Sequence, residues 1–292
     1  MKKTHQYGVM LVLVGATLWG SSSNSLEYLM TYQHFSWDTV LAIRMVVTAA
    51  VFLLISGLRG EKLLEPVKKD FLRLLRFTVL GLYTMQLPFT IAIHYSNAAT
   101  GTVLQYLMPV ILLGYYLILE RRRPRRREAV AAFLAIVGTF LIATKGEGAA
   151  LAISREALFW GILSAFGMAF YTAFAADLLH RYSTFLIIGW GSLGNALLLM
   201  ALNHPTLEGT LWTGGTFAAF GVIIVLGTLI AYTVYLESTK YIPASETGAL
   251  AAFEPLSAYA VSILFMRNRV GFVEMAGALC IMVMVWMLSK KA

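Results

Sequence analysis

The sequence of 292 residues has few of the residue types and motifs on which most enzymes and secreted proteins depend. Its one cysteine, Cys280, cannot form a disulfide within the chain, and its apolar surroundings favour a buried, inert thiol. The five histidines are scattered without an i,i+4 pair, so no zinc or di-metal ligand set is recognisable. A P-loop is also absent, which argues against chemistry driven by nucleotide hydrolysis. We therefore predict no metal and no cofactor.

Charged residues are scarce as well, at 13% of the chain, whereas 59% of the residues are hydrophobic. With a mean hydropathy of +0.72, this composition lies outside the range of soluble domains and indicates an integral membrane protein. The formal net charge of +8 could suggest binding to nucleic acid or anionic lipid. In a membrane protein, however, the distribution of lysine and arginine along the chain is more informative than their sum.

Apolar runs of roughly 17 to 25 residues, long enough to span a bilayer as helices, follow one another along the whole chain. They number ten, with approximate bounds Gly8–Met30, Asp38–Gly57, Leu72–His94, Ala98–Leu119, Arg126–Thr144, Arg155–Asp177, Ser183–Asn203, Thr213–Leu236, Ala244–Met266 and Gly271–Ser289. The sequence therefore predicts an all-α integral membrane protein with ten transmembrane helices.

The basic residues are distributed unevenly between the alternate loops. On the side of the N-terminus lie 18 of the 23 lysines and arginines. The positive-inside rule then predicts both termini in the cytoplasm. The cluster of six arginines between Arg121 and Glu128 could bind phosphates or acidic lipid heads. Because it lies in a tight loop between two spans, we interpret it as a topological anchor and predict no binding to nucleic acid.

An internal repeat relates the two halves of the chain, since identical residues recur at a constant offset of 146 positions. The aligned residues are Val79, Leu80, Gly81, Tyr95, Leu104, Pro109 and Glu128 with Val225, Leu226, Gly227, Tyr241, Leu250, Pro255 and Glu274. We predict a first repeat over residues 1–144 and a second over residues 145–292. Because a unit of five spans has odd parity, its copy enters the membrane from the opposite side, and such inverted repeats suit alternating access.

Several short motifs in this order carry a resemblance to a known family. They are LWG at Leu18–Gly20, Arg44 in the second span, YLMP at Tyr106–Pro109 leading to Glu120, and FEP at Phe253–Pro255. With its ten spans, the chain resembles the drug/metabolite transporter superfamily, in particular the ten-span permeases built from two EamA domains. The resemblance implies transport of small organic metabolites, often amino acids, across the cytoplasmic membrane of a prokaryote, frequently as export. One departure is Met266, which stands where the family usually has a glutamate.

Glu254 is the most prominent polar residue, because a carboxylate near the middle of an apolar span is costly and needs a partner or a function. The next residue, Pro255, cannot donate a backbone hydrogen bond, so it frees the carbonyl of Ala251 and can kink the helix. We predict that Glu254 binds a ligand ammonium group or a coupling proton. The alternative is a protonated acid held by the hydroxyl of Ser257 or Tyr259.

Arg44 lies inside the second span, and Glu27 lies at a similar depth in the first. Arg44 could guide a substrate carboxylate or phosphate. An ion pair between Arg44 and Glu27 that fixes two helices, or a side chain that extends to the interface, explains the arginine equally well.

The other candidate residues are amides and aromatic side chains. In the first span, Asn24 and Trp19 could line the mouth of a cavity, since they lie about one and a half turns apart. The remaining substrate-binding candidates are Tyr83, Gln86, Gln105, Tyr106, Tyr171, Phe174, Tyr232, Tyr235 and Tyr259. A cavity walled by aromatic rings with few formal charges would suit neutral or zwitterionic molecules of moderate polarity.

These features together predict a secondary transporter of small organic metabolites, with neutral or aromatic amino acids as the favoured substrates and export as the favoured direction. Uptake or facilitated diffusion of another amphipathic metabolite is an alternative. A membrane-embedded enzyme acting on a lipid-linked substrate is a more distant one, because no paired carboxylates or nucleophile are visible. The expected partners are a small-molecule substrate, the lipid bilayer and coupling protons, in a monomer or a homodimer.

Overall fold

The computed structural model describes residues 2–145, 153–238, 241–242, 250–251 and 253–289. All regular secondary structure in these residues is helical. Seven of the described helices are long and apolar enough to cross a membrane, and two further apolar helices, Phe253–Phe265 and Phe272–Leu288, are shorter. The described part of the chain is therefore an all-helical membrane protein, which confirms the predicted fold class.

The helices follow one another along the chain with short connections. In order they are α1 (Lys2–Tyr32), α2 (Trp37–Leu58), α3 (Glu65–Lys69), α4 (Phe71–Arg76), the π-helical segment π1 (Phe77–Tyr83), α5 (Thr84–His94), α6 (Ala98–Gln105), α7 (Met108–Leu119), α8 (Arg126–Thr144), α9 (Arg155–Leu179), α10 (Thr184–Leu202), α11 (Gly214–Gly221), the π-helical segment π2 (Val222–Ile230), α12 (Ala231–Ser238), α13 (Phe253–Phe265) and α14 (Phe272–Ser289).

The predicted fourth span, Ala98–Leu119, is interrupted between α6 and α7. Pro109 explains the interruption, because it has no N–H to donate and its ring clashes with the carbonyl of Gln105, four residues earlier. The N–H of Leu107 bonds to the carbonyl of Leu104 at 3.1 Å, so the chain continues through a tight turn. The fourth span thus consists of two short helices that meet at residues 106–107.

The other predicted spans correspond to described helices to within a few residues, apart from the ninth. Of the predicted span Ala244–Met266, residues 244–249 and 252 lie outside the described residues, and α13 begins at Phe253. The count of ten spans stays a prediction for this reason.

Two π-helical segments, π1 and π2, lie within the third and eighth predicted spans, and the sequence analysis did not foresee them. Thr84 and Thr228 each donate a hydroxyl hydrogen bond of 2.9 Å to the carbonyl five residues earlier. These bonds add a side-chain donor to main-chain oxygens within the wider helical turns. A shift of Phe77–Tyr83 by the repeat offset of 146 residues falls within Val222–Ile230, so the two segments occupy matching positions.

Helix packing places α13, from the second half of the chain, against α1 and α6 of the first half. Helix α1 also packs along π2 and α12. Helix α9 packs along π1 and α5. The remaining large contacts pair α2 with α10 and α8 with α14. Gly20 allows the close approach of α1 to α13, because a Cβ atom there would lie 2.7 Å from the main-chain nitrogen of Ala258. The start of α13, which carries Glu254, is therefore held between α1 and α6.

Candidate substrate and proton site

Glu254 and Tyr106 connect α13 to the break between α6 and α7. The Tyr106 hydroxyl lies 2.9 Å from Oε2 of Glu254 and also 2.9 Å from the carbonyl oxygen of Ala251. Ala251 carries the carbonyl that Pro255 leaves without an intrahelical donor. The sequence analysis identified this free carbonyl, and it named Tyr106 and Glu254 separately as candidates. It could not place them together, because they lie 148 residues apart in the chain.

The two hydroxyl groups that were alternatives for holding Glu254 have other roles. Ser257 Oγ lies 2.8 Å from the main-chain carbonyl of Glu254 and 3.1 Å from that of Ala16, so it stabilises the contact between α13 and α1. Tyr259 is buried in an apolar cluster with residues of α8 and α14, and its hydroxyl has no hydrogen-bond partner among the described residues. Neither hydroxyl is the partner that the structure gives to the Glu254 carboxyl group.

Arg44 and Gln86 form a buried pair between α2 and α5. A guanidinium N–H of Arg44 donates to Oε1 of Gln86 at 3.0 Å, and each residue is only 8% exposed. The positive charge of Arg44 also lies close enough to Glu254 to interact with it electrostatically. A cation and an acid from different helices thus face the same region of the bundle.

The Glu27 carboxylate has hydrogen-bond partners other than Arg44, with which an ion pair was considered as an alternative. One carboxylate oxygen accepts the N–H of Ala98 at 2.7 Å, at the start of α6, and the other accepts the side-chain amide of Asn268 at 2.7 Å. Asn268 also donates to Ser262 Oγ at 2.9 Å. The sequence analysis missed this group, because nothing in the local pattern around Asn268 marks it as a partner of the first span.

Two aromatic residues, Trp19 and Tyr235, extend the site from α1 and α12. Their ring centroids are 5.1 Å apart, and Tyr235 is near enough to Tyr106 to interact with it electrostatically. The side chains of Trp19, Tyr235, Tyr106 and Glu254 are all partly exposed, in contrast to the buried Arg44–Gln86 pair. These four residues are therefore more accessible than that pair.

Asn24 contributes mainly to the contact between α1 and α13. Its amide nitrogen donates to the carbonyl of Gly20 at 2.9 Å and to that of Ala258 at 3.0 Å. Its oxygen Oδ1 is buried without a hydrogen-bond partner among the described residues. An unpaired buried oxygen is costly, so Asn24 has capacity to accept one more hydrogen bond.

The remaining candidate residues lie either next to Tyr106 or elsewhere in the bundle. Gln105 is buried at the last position of α6, next to Tyr106, while the side chain of Tyr232 lies outside the part that the structure describes. Tyr83 points toward α10, with its hydroxyl 3.4 Å from Oδ1 of Asn203. Tyr171 and Phe174 pack in a separate apolar cluster of buried residues. These last three contribute to helix packing in this conformation.

A second polar cluster, formed by Asp70, Arg73, Arg181 and Tyr182, lies at a loop end of the bundle. The Asp70 carboxylate accepts from Arg73 at 2.7 Å, from Tyr182 at 2.8 Å and from Arg181 at 3.3 Å. The hydrogen bond from Tyr182, followed by the one from Arg73, holds the pKa of Asp70 below its ordinary value. This cluster joins the start of α4 to the connection between α9 and α10.

No group of three or more histidine, cysteine, aspartate or glutamate side chains that could hold a metal ion occurs among the described residues. The Glu254 group, defined as Glu254, Arg44, Tyr106, Trp19 and Tyr235, offers one carboxyl, one guanidinium, two phenols and one indole ring. Such a set can bind a proton, an ammonium group, a carboxylate or a flat apolar side chain.

Comparisons with known proteins show which family the chain resembles over its length. The model of the EamA-like transporter family matches the chain twice, over residues 6–144 and 155–290. The chain is 35% identical over 286 residues to "Uncharacterized inner membrane transporter YicL" of Salmonella typhimurium (strain LT2), covering 97% of this chain and 95% of the relative. It is 22% identical over 281 residues to "Uncharacterized transporter YcbK" of Bacillus subtilis (strain 168), covering 92% and 88%.

A solved structure described only as "Crystal structure of protein" is similar over nearly the whole length. The TM-score is 0.63, with 15% sequence identity, and the similarity covers 96% of this chain and 95% of that one. At this identity the likeness extends to the fold alone.

Proposed function

Because the chain belongs to the EamA-like transporter family, we propose that it is a secondary transporter that moves small organic metabolites across the cytoplasmic membrane by alternating access. The family match and the inner-membrane relative support a multi-pass membrane transporter. The substrate class, the direction, the coupling and the cytoplasmic position of both termini are further parts of the proposal.

The two halves of the chain, residues 1–144 and 145–292, are proposed to be inverted copies that rock about the Glu254 group. Three observations support this arrangement. The family model matches each half once, π1 and π2 lie at matching positions, and the packing of α9 on π1 is paralleled by that of α1 on π2. Interrupted helices in corresponding positions of two repeats mark the usual place of a transport site. Pro109 lies beside the break between α6 and α7, and Pro255 occupies the matching position of the ninth predicted span.

The substrate class follows from the combination of charges and rings at the site. Arg44 can attract a carboxylate, Glu254 can attract an ammonium group, and the rings of Trp19 and Tyr235 offer a flat apolar surface. The placement of these opposite charges near one partly exposed aromatic group carries the proposal. A neutral or aromatic amino acid has the matching ammonium, carboxylate and apolar side chain.

Glu254 also suggests how transport would be coupled. A protonated carboxyl has no charge to offer an ammonium group, so a proton and a substrate compete for it. Competition of two ligands for one site that alternates between the two sides of a membrane produces exchange. Protons entering the cell would then drive substrate out, which favours export.

The proposal is tested by tracer counterflow in proteoliposomes with a panel of neutral, aromatic, acidic and basic amino acids. We expect unlabelled neutral or aromatic amino acid on the far side to accelerate tracer entry, as it does for a carrier and not for a pore. In Glu254→Gln, the pH dependence of this exchange should disappear. The matched control is Glu208→Gln, which changes an exposed loop carboxylate in the same way.

Two outcomes would contradict the proposal. If no member of the panel shows counterflow in folded protein, the amino-acid assignment is wrong. If Glu254→Gln keeps the full pH response of the wild type, Glu254 has no part in coupling.

A further inference from the structure

We propose that Tyr106 is a proton-responsive switch that moves its single hydrogen bond between the Glu254 carboxylate and the Ala251 carbonyl. Protonation of Glu254 would thereby determine whether the Ala251 carbonyl, just before Pro255 at the start of α13, has a donor. The inference rests on the proposed function in treating Glu254 as a coupling site, and it adds the step by which the proton changes the conformation of a helix.

The Tyr106 hydroxyl has fewer hydrogens than nearby acceptors. A tyrosine hydroxyl has one hydrogen to donate, yet Tyr106 lies 2.9 Å from each of two acceptors. An ionised carboxylate and a main-chain carbonyl are both acceptors only. While Glu254 is ionised, one hydrogen must therefore serve two oxygens.

Protonation of Glu254 removes this conflict. The added proton forms an O–H bond on the carboxyl group, which can then donate to the phenolic oxygen of Tyr106. The hydroxyl hydrogen of Tyr106 is now available to the Ala251 carbonyl alone. All three groups are satisfied only in this state, and no bond other than the carboxyl O–H has formed.

When Glu254 is ionised, the Tyr106 hydroxyl should donate to the carboxylate and not to the Ala251 carbonyl. A hydrogen bond to a charged carboxylate is stronger than one to a neutral carbonyl, so Tyr106 should turn toward Glu254. The Ala251 carbonyl is then left without a donor, because Pro255 has no N–H and its ring prevents a regular helical turn. Relief of that penalty by a movement of the start of α13 relative to the break that holds Tyr106 is the expected response.

The groups around the switch are consistent with a single titrating acid. Arg44 from α2 is the cation that acts on Glu254, and Tyr235 from α12 acts on Tyr106. Of the nearby acids, Glu27 on α1 is hydrogen-bonded to Ala98 and Asn268, as described above. Glu274 on α14 is paired with the Lys145 ammonium at 3.1 Å.

The position of Tyr106 allows a change in its hydrogen bond to affect transport. Tyr106 lies in the break between α6 and α7, caused by Pro109, and its acceptors belong to Ala251 and Glu254, at the start of α13. Pro109 and Pro255 occupy matching positions of the proposed repeats. A change in this one bond therefore alters the link between the interrupted fourth span and α13, whose relative movement the proposed alternating access requires.

The test measures helix position directly and needs no substrate. In a Cys280→Ser background, spin labels are placed at two exposed sites, Leu264→Cys on α13 and Leu202→Cys on α10, and the distance between them is measured in lipid nanodiscs at acid and alkaline pH. We expect the wild-type switch to show a shift of about 2 Å, the scale of helix movements in switching proteins. Glu254→Gln, which keeps a hydrogen to donate, should stay at the acid distance at both pH values.

The decisive variant is Tyr106→Phe, which should hold the alkaline distance at both pH values because Ala251 has lost its donor. Its matched control is Tyr32→Phe, an exposed tyrosine at the end of α1, which should retain the wild-type shift. A full pH shift in folded Tyr106→Phe, or no shift in the wild type, would overturn the proposal. A lack of amino-acid counterflow alongside a normal shift would instead count against the substrate assignment alone.

Discussion

At the scale of single residues, Glu27 shows how one carboxylate can organise distant parts of a membrane protein. Its two oxygens bind the first N–H of α6 and the side chain of Asn268, so three segments meet at one group. The acid is 7% exposed, which means that its charge depends on these donors for the solvation that water would otherwise supply. We expect this site to be structural, in contrast to the partly exposed Glu254.

Replacement of Glu27 by glutamine should therefore lower stability without abolishing the fold. The amide still accepts from one neighbour, but its NH₂ group faces the second donor and leaves a buried group unpaired, at a cost of about 1–3 kcal/mol. Thermal unfolding of the purified protein in detergent measures the effect. Glu208→Gln, on an exposed loop, should leave the unfolding temperature unchanged. Equal behaviour of the two variants would show that the Glu27 contacts contribute nothing.

At the scale of helices, glycine determines how closely the central elements approach. A Cβ atom at Gly167 would lie 2.3 Å from main-chain atoms of Thr84, and main chain cannot move aside as a flexible side chain can. This contact holds α9 against the start of α5, just after π1. In membrane proteins, small residues of this kind replace the hydrophobic effect as the means of close helix packing.

Gly167→Ala should consequently separate α9 from α5 and destabilise the protein by roughly 1–3 kcal/mol, as overpacking does elsewhere. The control is Gly221→Ala in α11, where an added Cβ atom meets nothing within 4 Å. Since alanine is a better helix former than glycine, the control should be neutral or slightly more stable. Unfolding temperatures of the two variants check the prediction, and a Gly167→Ala protein as stable as the wild type would contradict it.

The helices also show what a sequence can and cannot predict. Most helix positions were predictable because apolar length is a local property, and Pro109 could have indicated the break in the fourth span. The π-helical segments left no comparable signal. Contacts such as Tyr106 with Glu254, or Glu27 with Asn268, join residues far apart in the chain. Candidate residue types could therefore be named from the sequence, but their partners could not.

At the scale of the whole molecule, the EamA-like transporter family gives the chain its general role, and we propose that the Glu254 group couples that role to protons. The account requires that a substrate and a proton exclude each other at one carboxyl group. This requirement concerns equilibrium binding, so it can be examined without any membrane gradient. It is reciprocal, because a proton that weakens substrate binding must itself be released when the substrate binds.

The most direct measurement is the release of protons when the amino acid identified by counterflow is added to purified wild-type protein in weakly buffered detergent, over a series of pH values. The account predicts release that saturates with substrate and passes through a maximum along the pH series. In Glu254→Gln the release should be absent, while Glu208→Gln should behave as the wild type. Substrate binding without proton release at any pH, or equal release from Glu254→Gln, would contradict the central claim.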